Sequence, residues 1–288
     1  MDARVETKPA KCLVIGATGL VGGYIVEHLV RGGQRPFALS RSQQNRTDAE
    51  WFQGDIEEPE ALKFPPFETL YCTASAILLS AALPQLFTPS LKRVVVFSST
   101  SVLTKIDSEI VSEREHLRKL AEAEQQIAAA CEKNNIGWTI LRPTLIYAEG
   151  RDRNITPLSR LIQRFGFMPL VGGGPGLRQP VHAEDLAIGA IAAASSAAAA
   201  DKFYALPGGE TLSYREMIGR IFDGLRLPRR TVSIPPFVWK AAFVAAKPLF
   251  PGANAAMGTR MMKDMTFDPA PAAQDFGWKP RMFNPAFD

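Results

Sequence analysis

No stretch of this chain approaches the ~20 consecutive apolar residues that a membrane-spanning helix requires, so no integral membrane segment is expected. Cysteine is sparse. Cys12, Cys72 and Cys131 lie far apart and none belongs to a CxxC pair, which argues against a disulfide framework and a zinc site and leaves buried free thiols as the expectation. A strong charge of either sign is missing as well: 33 basic and 29 acidic residues give +4, too mild a balance to call for nucleic acid. The opening MDARVETKPAKCLVIG has neither a signal-peptide h-region nor a small-residue cleavage site, and a soluble, cytoplasmic protein is expected. What is present is ordinary globular material, 46% hydrophobic and 22% charged over 288 residues, enough for one large domain or a domain with a smaller partner. A homo-oligomer remains open on these grounds.

Short β-branched or apolar runs alternate with helical stretches, the pattern of a parallel sheet covered on both faces. Strands are expected at 12–16, 35–40, 50–54, 68–73, 93–99 and 138–142, with helices near 20–31, 76–87 and 112–134. After about residue 143 the rhythm breaks into turns rich in Pro and Gly, including VGGGPG at 171–176. The Ala-rich residues 187–200 read as one helix and an exposed tail. The fold class expected is α/β, a Rossmann-type doubly wound parallel sheet over residues 1–150. A smaller C-terminal α/β cap occupies mainly 151–288, with 178–200 returning to the first domain.

GATGLVGG, residues 16–23, follows a strand and opens a helix. Glycines in that spacing let backbone N–H groups and a helix N-terminus approach a pyrophosphate. An acid that would hold the ribose 2′-hydroxyl should end the second strand. The chain instead reads ALSRS, with Ser40 and Arg41. A guanidinium there suits a 2′-phosphate, so NADP is expected over NAD, which stays possible. GDIEEPEAL sets Asp55 after the third strand, at the height of an adenine.

Together with VVVFSSTSV, LRPTLIY and QPVHAEDLA, these motifs resemble the extended and atypical short-chain dehydrogenase/reductases, the group of nucleotide-sugar epimerases and dehydratases. The stretch from LRPTLIY to RQPVHAEDLA further resembles the atypical branch that includes the Rossmann-type accessory subunit of mitochondrial complex I. The resemblance runs over nearly the whole chain. It implies that Gly16, Thr18, Gly19, Leu20, Val21 and Gly22 hold the pyrophosphate and that Asp55 and Ile56 face the adenine. It also implies that Thr73 and Ala74 pass beside the nicotinamide-side ribose, with Lys119 and Pro143 completing the cofactor set.

Active members of that superfamily resemble one another in a Ser or Thr after the fifth strand and a Tyr four residues before a Lys. The lysine lowers the phenol pKa so that a phenolate can move the alcohol proton, and the serine steadies the carbonyl oxygen. Ser99 and Lys119 fit the catalytic serine and lysine, but the tyrosine position holds Glu115. Between Tyr71 and Tyr147 there is no tyrosine at all, so no shift of register restores the motif. His116 beside it carries an imidazole, a side-chain type that serves as acid or base, but EREHLRK reads better as a solvated helix face of alternating charge. Two further departures weigh against a UDP-sugar site: only a short helix fits between Thr73 and Arg93, and Leu145 stands where the R-x-x-N-x-x-G signature has asparagine.

From Arg142 to Arg178 six arginines face two acids, an excess of 6 − 2 = +4. Arginines at a cleft mouth suit a phosphate or carboxylate, and Arg178 is the expected substrate contact. His182 reads as a packed helix-start residue, with Glu184 and Asp185 complementing that helix's dipole. PPFVWKAAFVAAKPLFP, 235–251, reads as a cap helix or subunit contact, with a membrane surface as the other option. The expected function is an NADP-preferring oxidoreductase or epimerase-like protein acting on a small anionic or nucleotide-linked substrate without the usual tyrosine. The alternative is a non-catalytic NADP-binding assembly or sensor subunit.

Overall fold

The structure is a computed structural model that describes residues 12–105, 108, 110–239, 241, 258 and 260–287. In chain order the first elements are β1 (Cys12–Ile15), α1 (Leu20–Arg31), β2 (Phe37–Ser40), β3 (Glu50–Gln53), β4 (Thr69–Cys72), α2 (Ala76–Leu86), β5 (Arg93–Phe97), α3 (Ser101–Thr104), α4 (Val111–Lys133) and β6 (Gly137–Pro143). Then come β7 (Ile146–Tyr147), α5 (Thr156–Phe165), β8 (Met168–Val171), β9 (Leu177–Arg178), β10 (Val181–His182), α6 (Ala183–Ser195) and β11 (Lys202–Leu206). The last are β12 (Leu212–Ser213), α7 (Tyr214–Gly224), β13 (Thr231–Ile234) and α8 (Ala270–Phe276). The chain forms two compact units. One holds the described residues up to Pro143 with Ala183–Leu206 and Pro269–Trp278; the other holds Thr144–His182, Pro207–Asp268 and Lys279–Asp288.

The first unit is built on a seven-stranded parallel sheet in the order β11-β6-β5-β4-β1-β2-β3. Central strands of such a sheet are buried on both faces, which is why CLVI is apolar throughout and RVVVF is apolar after its leading Arg93, with every residue of both buried. The edge strands EWFQ and KFYAL leave Glu50, Gln53 and Lys202 exposed, charged or polar groups that blunt an open edge. Alternate residues of the strands, Leu13 and Ile15, Leu70 and Cys72, Val94 and Val96, form one core cluster with Leu79, Leu83, Leu120 and Ile127 of α2 and α4. Helices α1 and α6 pack on each other, as do α2 and α4. Burying each Leu, Ile or Val fully contributes about 1.5–3 kcal/mol.

The six expected strands and three expected helices lie where the sequence placed them, but β11 was not anticipated. The Ala-rich run does not end in a free tail. Residues 197–199 form a short 3₁₀ turn whose Ala199 carbonyl accepts from Thr139 Oγ1 at 2.6 Å, while Arg93 donates to the carbonyls of Ala193 and Ser196 at 2.8 and 3.1 Å. These bonds satisfy the orphan carbonyls at the end of α6 and lead the chain into β11. Helix α8 closes the unit: Asp275 accepts from Lys202 Nζ at 2.8 Å and from the Tyr204 hydroxyl at 2.5 Å.

The second unit pairs β7 with β10 and β8 with β13 in parallel, and β9 with β12 antiparallel. Its core gathers Tyr147, Ile155, Ile162, Leu170, Met217, Ile221, Phe222 and Phe283. Buried Asp152 fixes the start of α5 by accepting from the amides of Asn154 and Ile155 at 2.7 and 2.5 Å and from Thr156 Oγ1 at 2.7 Å. Most of the segment 235–251 lies outside the described residues. No helix among the described residues is long and apolar enough to cross a membrane.

Candidate cofactor cleft

Strand order reverses between β1 and β4, and in open parallel sheets the crevice at such a switch point, beyond the carboxyl ends of the strands, is where ligands fit. A cleft of about 330 Å³ lies there in the first unit. It is lined after β1 by Gly16, Thr18 and Gly19, at the end of β2 by Ser40 and Arg41, after β3 by Asp55, Ile56 and Glu57, and after β4 by Thr73 and Ala74. Nine of the expected cofactor residues thus come together. Leu20, Val21 and Gly22 begin α1 immediately beyond Gly19.

The glycines have steric reasons. Gly16 has φ +81°, and a Cβ on it would lie 2.5 Å from Thr73 Oγ1 and 2.9 Å from the Ala74 amide nitrogen. A Cβ on Gly22 would lie 2.2 Å from the Gly16 carbonyl oxygen. The Thr73 hydroxyl reaches the carbonyls of Ile15 and Gly16 at 3.2 and 3.1 Å, tying the β4 end to the loop after β1. Gly19 caps α1, no side chain caps it in turn, and the first turn carries no acid. The positive end of the helix dipole therefore opens on the cleft with no carboxylate in the helix's own first turn, a setting that suits a pyrophosphate.

Ser40 organises the far rim. Its hydroxyl donates to the Ser42 carbonyl at 2.8 Å and accepts from the Ser42 amide and Gln44 Nε2, both at 3.2 Å. Gln53 Nε2 contacts the Arg41 carbonyl at 3.4 Å. The Arg41 side chain itself is exposed and has no ion-pair or hydrogen-bond partner among the described residues. An uncommitted guanidinium beside a hydroxyl and a backbone turn can grip a phosphate. Asp55 is fixed by its own turn, accepting from the Glu57 amide at 3.1 Å. Glu57, Leu39, Gly54 and Leu78 also line the cleft and were not singled out from sequence. The glycine at 54, one before Asp55, was the available signal.

The expected catalytic residues are arranged differently. Ser99 follows β5, is partly exposed, and accepts from the Ser101 amide at 3.1 Å. Its neighbour Ser98 has a buried hydroxyl with no partner among the described residues. Pro143 ends β6 and its carbonyl accepts from the Thr100 amide and hydroxyl at 3.2 and 3.0 Å. On α4 the buried stripe is Leu117, Leu120, Glu124, Ile127 and Cys131; Glu115, His116 and Lys119 are exposed. Ser99, Lys119 and Pro143 are not among the residues lining the cleft.

Arg178 needs correcting as a substrate contact. It is buried in the second unit, Nη1 donates to the carbonyls of Leu177 and Lys263 at 2.6 and 2.7 Å, Nη2 donates to that of Arg260, and the guanidinium lies 5.6 Å from the Tyr214 ring centre. Its donors hold the chain near 260–263. Arg142 is likewise committed, in a two-pronged pair with buried Glu124 at 3.0 and 2.5 Å, so the arginine excess of 142–178 is not one ligand-facing patch. His182 packs edge-on against Tyr147 and lies 3.4 Å from Glu149. Burial would raise the Glu149 carboxyl pKa, but the His182 hydrogen bond and backbone amides hold it below the usual range. Cys12, Cys72 and Cys131 are all buried free thiols, and desolvation pushes each up to about 12, which keeps them from acting as thiolates at neutral pH. Among the described residues no group of three or more His, Cys, Asp or Glu is placed to hold a metal ion.

Solved structures share this fold. A short-chain dehydrogenase/reductase superfamily protein from Agrobacterium tumefaciens, with bound NAD, superposes with a TM-score of 0.69 over 95% of this chain and 93% of its own at 14% identity. The fold is that of the short-chain dehydrogenases/reductases. Within that fold, a UDP-glucose 4-epimerase of Vibrio cholerae is 22% identical over 94% of this chain and 91% of its own. The mitochondrial NADH dehydrogenase [ubiquinone] 1 alpha subcomplex subunit 9 of Arabidopsis thaliana is 25% identical over 79% of this chain and 61% of the subunit, so the chain spans about three fifths of that relative. No family model matches the chain. Both relatives agree with the resemblance read from the motifs.

Proposed function

We propose that the chain is an NADP-preferring, epimerase- or dehydratase-like oxidoreductase acting on a small anionic or nucleotide-linked substrate. The observation that carries the cofactor half is the uncommitted Arg41 guanidinium at the cleft rim, where an acid selective for NAD would otherwise stand. The NAD bound by the Agrobacterium protein and the activity named for the Vibrio relative support the class. A bound nicotinamide supplies a hydride acceptor or donor. The chain's own part is to seat the pyrophosphate on the Gly16–Gly22 turn, to fix the adenine end with Asp55 and Ile56, and to steady a substrate oxygen with Ser99, whose hydroxyl proton has no acceptor among the described residues. Calorimetric titration tests the cofactor reading: NADPH should bind more tightly than NADH, and Arg41→Asp should narrow or reverse the difference. A native preference for NADH ends the proposal.

A second reading, a non-catalytic NADP-binding assembly or sensor subunit, is favoured by one specific observation. The position of the family's phenol holds Glu115, which is exposed together with His116 and Lys119. Positioned acid or base groups typically contribute ~10²- to 10⁴-fold, so turnover without one should be slow. The Arabidopsis relative, named as a subunit of a larger complex, is compatible with this reading. Stopped-flow oxidation of bound NADPH with carbonyl substrates separates the two. A fast, bell-shaped pH dependence lost in His116→Ala would favour the enzyme with His116 as acid, and absence of turnover would favour the binder.

A further inference from the structure

Helix α5 of the second unit buries its polar side. The residues it turns inward are Thr156, Ser159 and Ile162, while Leu161 is 43% exposed and Phe165 56% exposed. Spacing explains the pattern. Pro157, Leu161 and Phe165 follow one another at i and i+4 and make an outward apolar ridge; Arg160 and Arg164 make a second ridge beside it. Phe167, 43% exposed, prolongs the apolar ridge past Gly166, whose φ of +73° ends the helix in a left-handed turn. The Arg164 guanidinium lies 5.3 Å from the Phe165 ring centre. Among the described residues neither Arg160 nor Arg164 has an acidic partner; α5 itself carries no acid, and Asp152, just before it, is buried and spent on capping the helix. Solvated helix faces normally carry mixed charge and few large apolar groups. This face carries one sign of charge alongside Leu and Phe, and no described residue covers it.

We propose that this face docks on an anionic lipid surface. Two parallel ridges, one cationic and one apolar, match the two layers a bilayer offers at its boundary: phosphates for the guanidiniums and the acyl border for Leu161, Phe165 and Phe167. The charge complementarity is one-sided, since no carboxylate on α5 would be repelled. A flat anionic surface suits a convex ridge, whereas a protein partner would have to supply a matching groove. No residue of α5 lines the cofactor cleft, and the proposal does not depend on the cofactor reading.

The test is co-sedimentation of the full 288-residue chain with vesicles of phosphatidylcholine alone and of phosphatidylcholine with phosphatidylglycerol. Binding is expected to the anionic vesicles, with about tenfold loss between 50 and 300 mM salt as charges are screened. Leu161→Ser with Phe165→Ser, and separately Arg160→Gln with Arg164→Gln, should each reduce binding at least ~10-fold. Both pairs are exposed, so both variants should keep the native far-UV circular dichroism and NADPH affinity. No binding to anionic vesicles at low salt overturns the proposal, as does binding that both variants retain. Retention of a soluble protein partner on this face without any vesicle binding overturns it too.

Discussion

Gly22 and Gly23 stand side by side in α1, and the structure assigns them opposite responses to a single added methyl group. In Gly22→Ala the new Cβ would lie 2.2 Å from the Gly16 carbonyl oxygen and 2.7 Å from Thr73 Oγ1. The first distance is about 1 Å short of an ordinary carbon–oxygen contact. The neighbours are a backbone carbonyl and a threonine already tied to it at 3.1 Å, so neither can swing aside. Either α1 lifts from the loop after β1 or that loop moves into the cleft. Overpacking of this kind costs about 1–3 kcal/mol, partly offset by the 0.5–1 kcal/mol gained when a helical Gly becomes Ala. The amides that face a pyrophosphate are displaced in either case, and NADPH affinity should fall by at least ~30-fold, about 2 kcal/mol. Gly23→Ala is the control. Its Cβ would find only the Ala17 carbonyl at 3.7 Å, an ordinary contact, so the helix propensity gain remains and affinity stays within about twofold. Thermal denaturation and calorimetric titration of the two variants decide the matter. If Gly22→Ala bound NADPH like the native chain, or if Gly23→Ala abolished binding, the steric reasoning about this turn would be wrong.

Other expectations follow from the pairs described above. Glu124, only 1% exposed, and Arg142, 15% exposed, form a buried two-pronged pair, so Arg142→Met alone should destabilise by about 3–5 kcal/mol in urea denaturation, while Glu124→Leu with Arg142→Met should recover most of the loss. Arg178→Met should lower the melting temperature by stranding carbonyls at Leu177, Arg260 and Lys263, without weakening NADPH binding in titration. Glu149 has a folded pKa held below its ordinary value, so its stabilising contribution is fully present above about pH 4.3 and is lost as pH falls through the lowered value; Glu149→Gln should flatten that acid limb in pH-dependent denaturation.

The fold was legible because its strongest signals are local. CLVI, the VVVF that follows Arg93 and the glycine turn declare central parallel strands and their switch point without reference to anything distant, and burial on both faces keeps those runs apolar. Strand β11 escaped because KFYAL is an edge strand of mixed character after a run of alanine, and only its parallel register with β6 makes it a strand. Arg178 was misread for a different reason. A charge count along the chain cannot see that the acceptors for a guanidinium are backbone carbonyls some 82 to 85 residues further on. The cleft lining was legible where glycine or a turn marked it, and Glu57 and Leu78 were not, since nothing about an exposed Glu or a helical Leu distinguishes it from its neighbours.

The route of the chain through the first unit bears on how that unit can be made. Its sheet has six strands in hand by Pro143, but α6, which supplies Leu186, Ala187, Ala190 and Ala193 to the buried side shared with α1, arrives only after residue 182, and the seventh strand after 201. A ribosome therefore releases the glycine turn and most of the sheet with one face still wet. Ile25, Val26 and Leu29 of α1 must wait for some forty further residues of the other unit before their cover appears. A fragment cut at Pro143 keeps every residue that lines the cleft, yet carries an unfinished flank prone to self-association, so the shortest piece expected to hold a dinucleotide as a well-behaved monomer is one that retains β11 and α8.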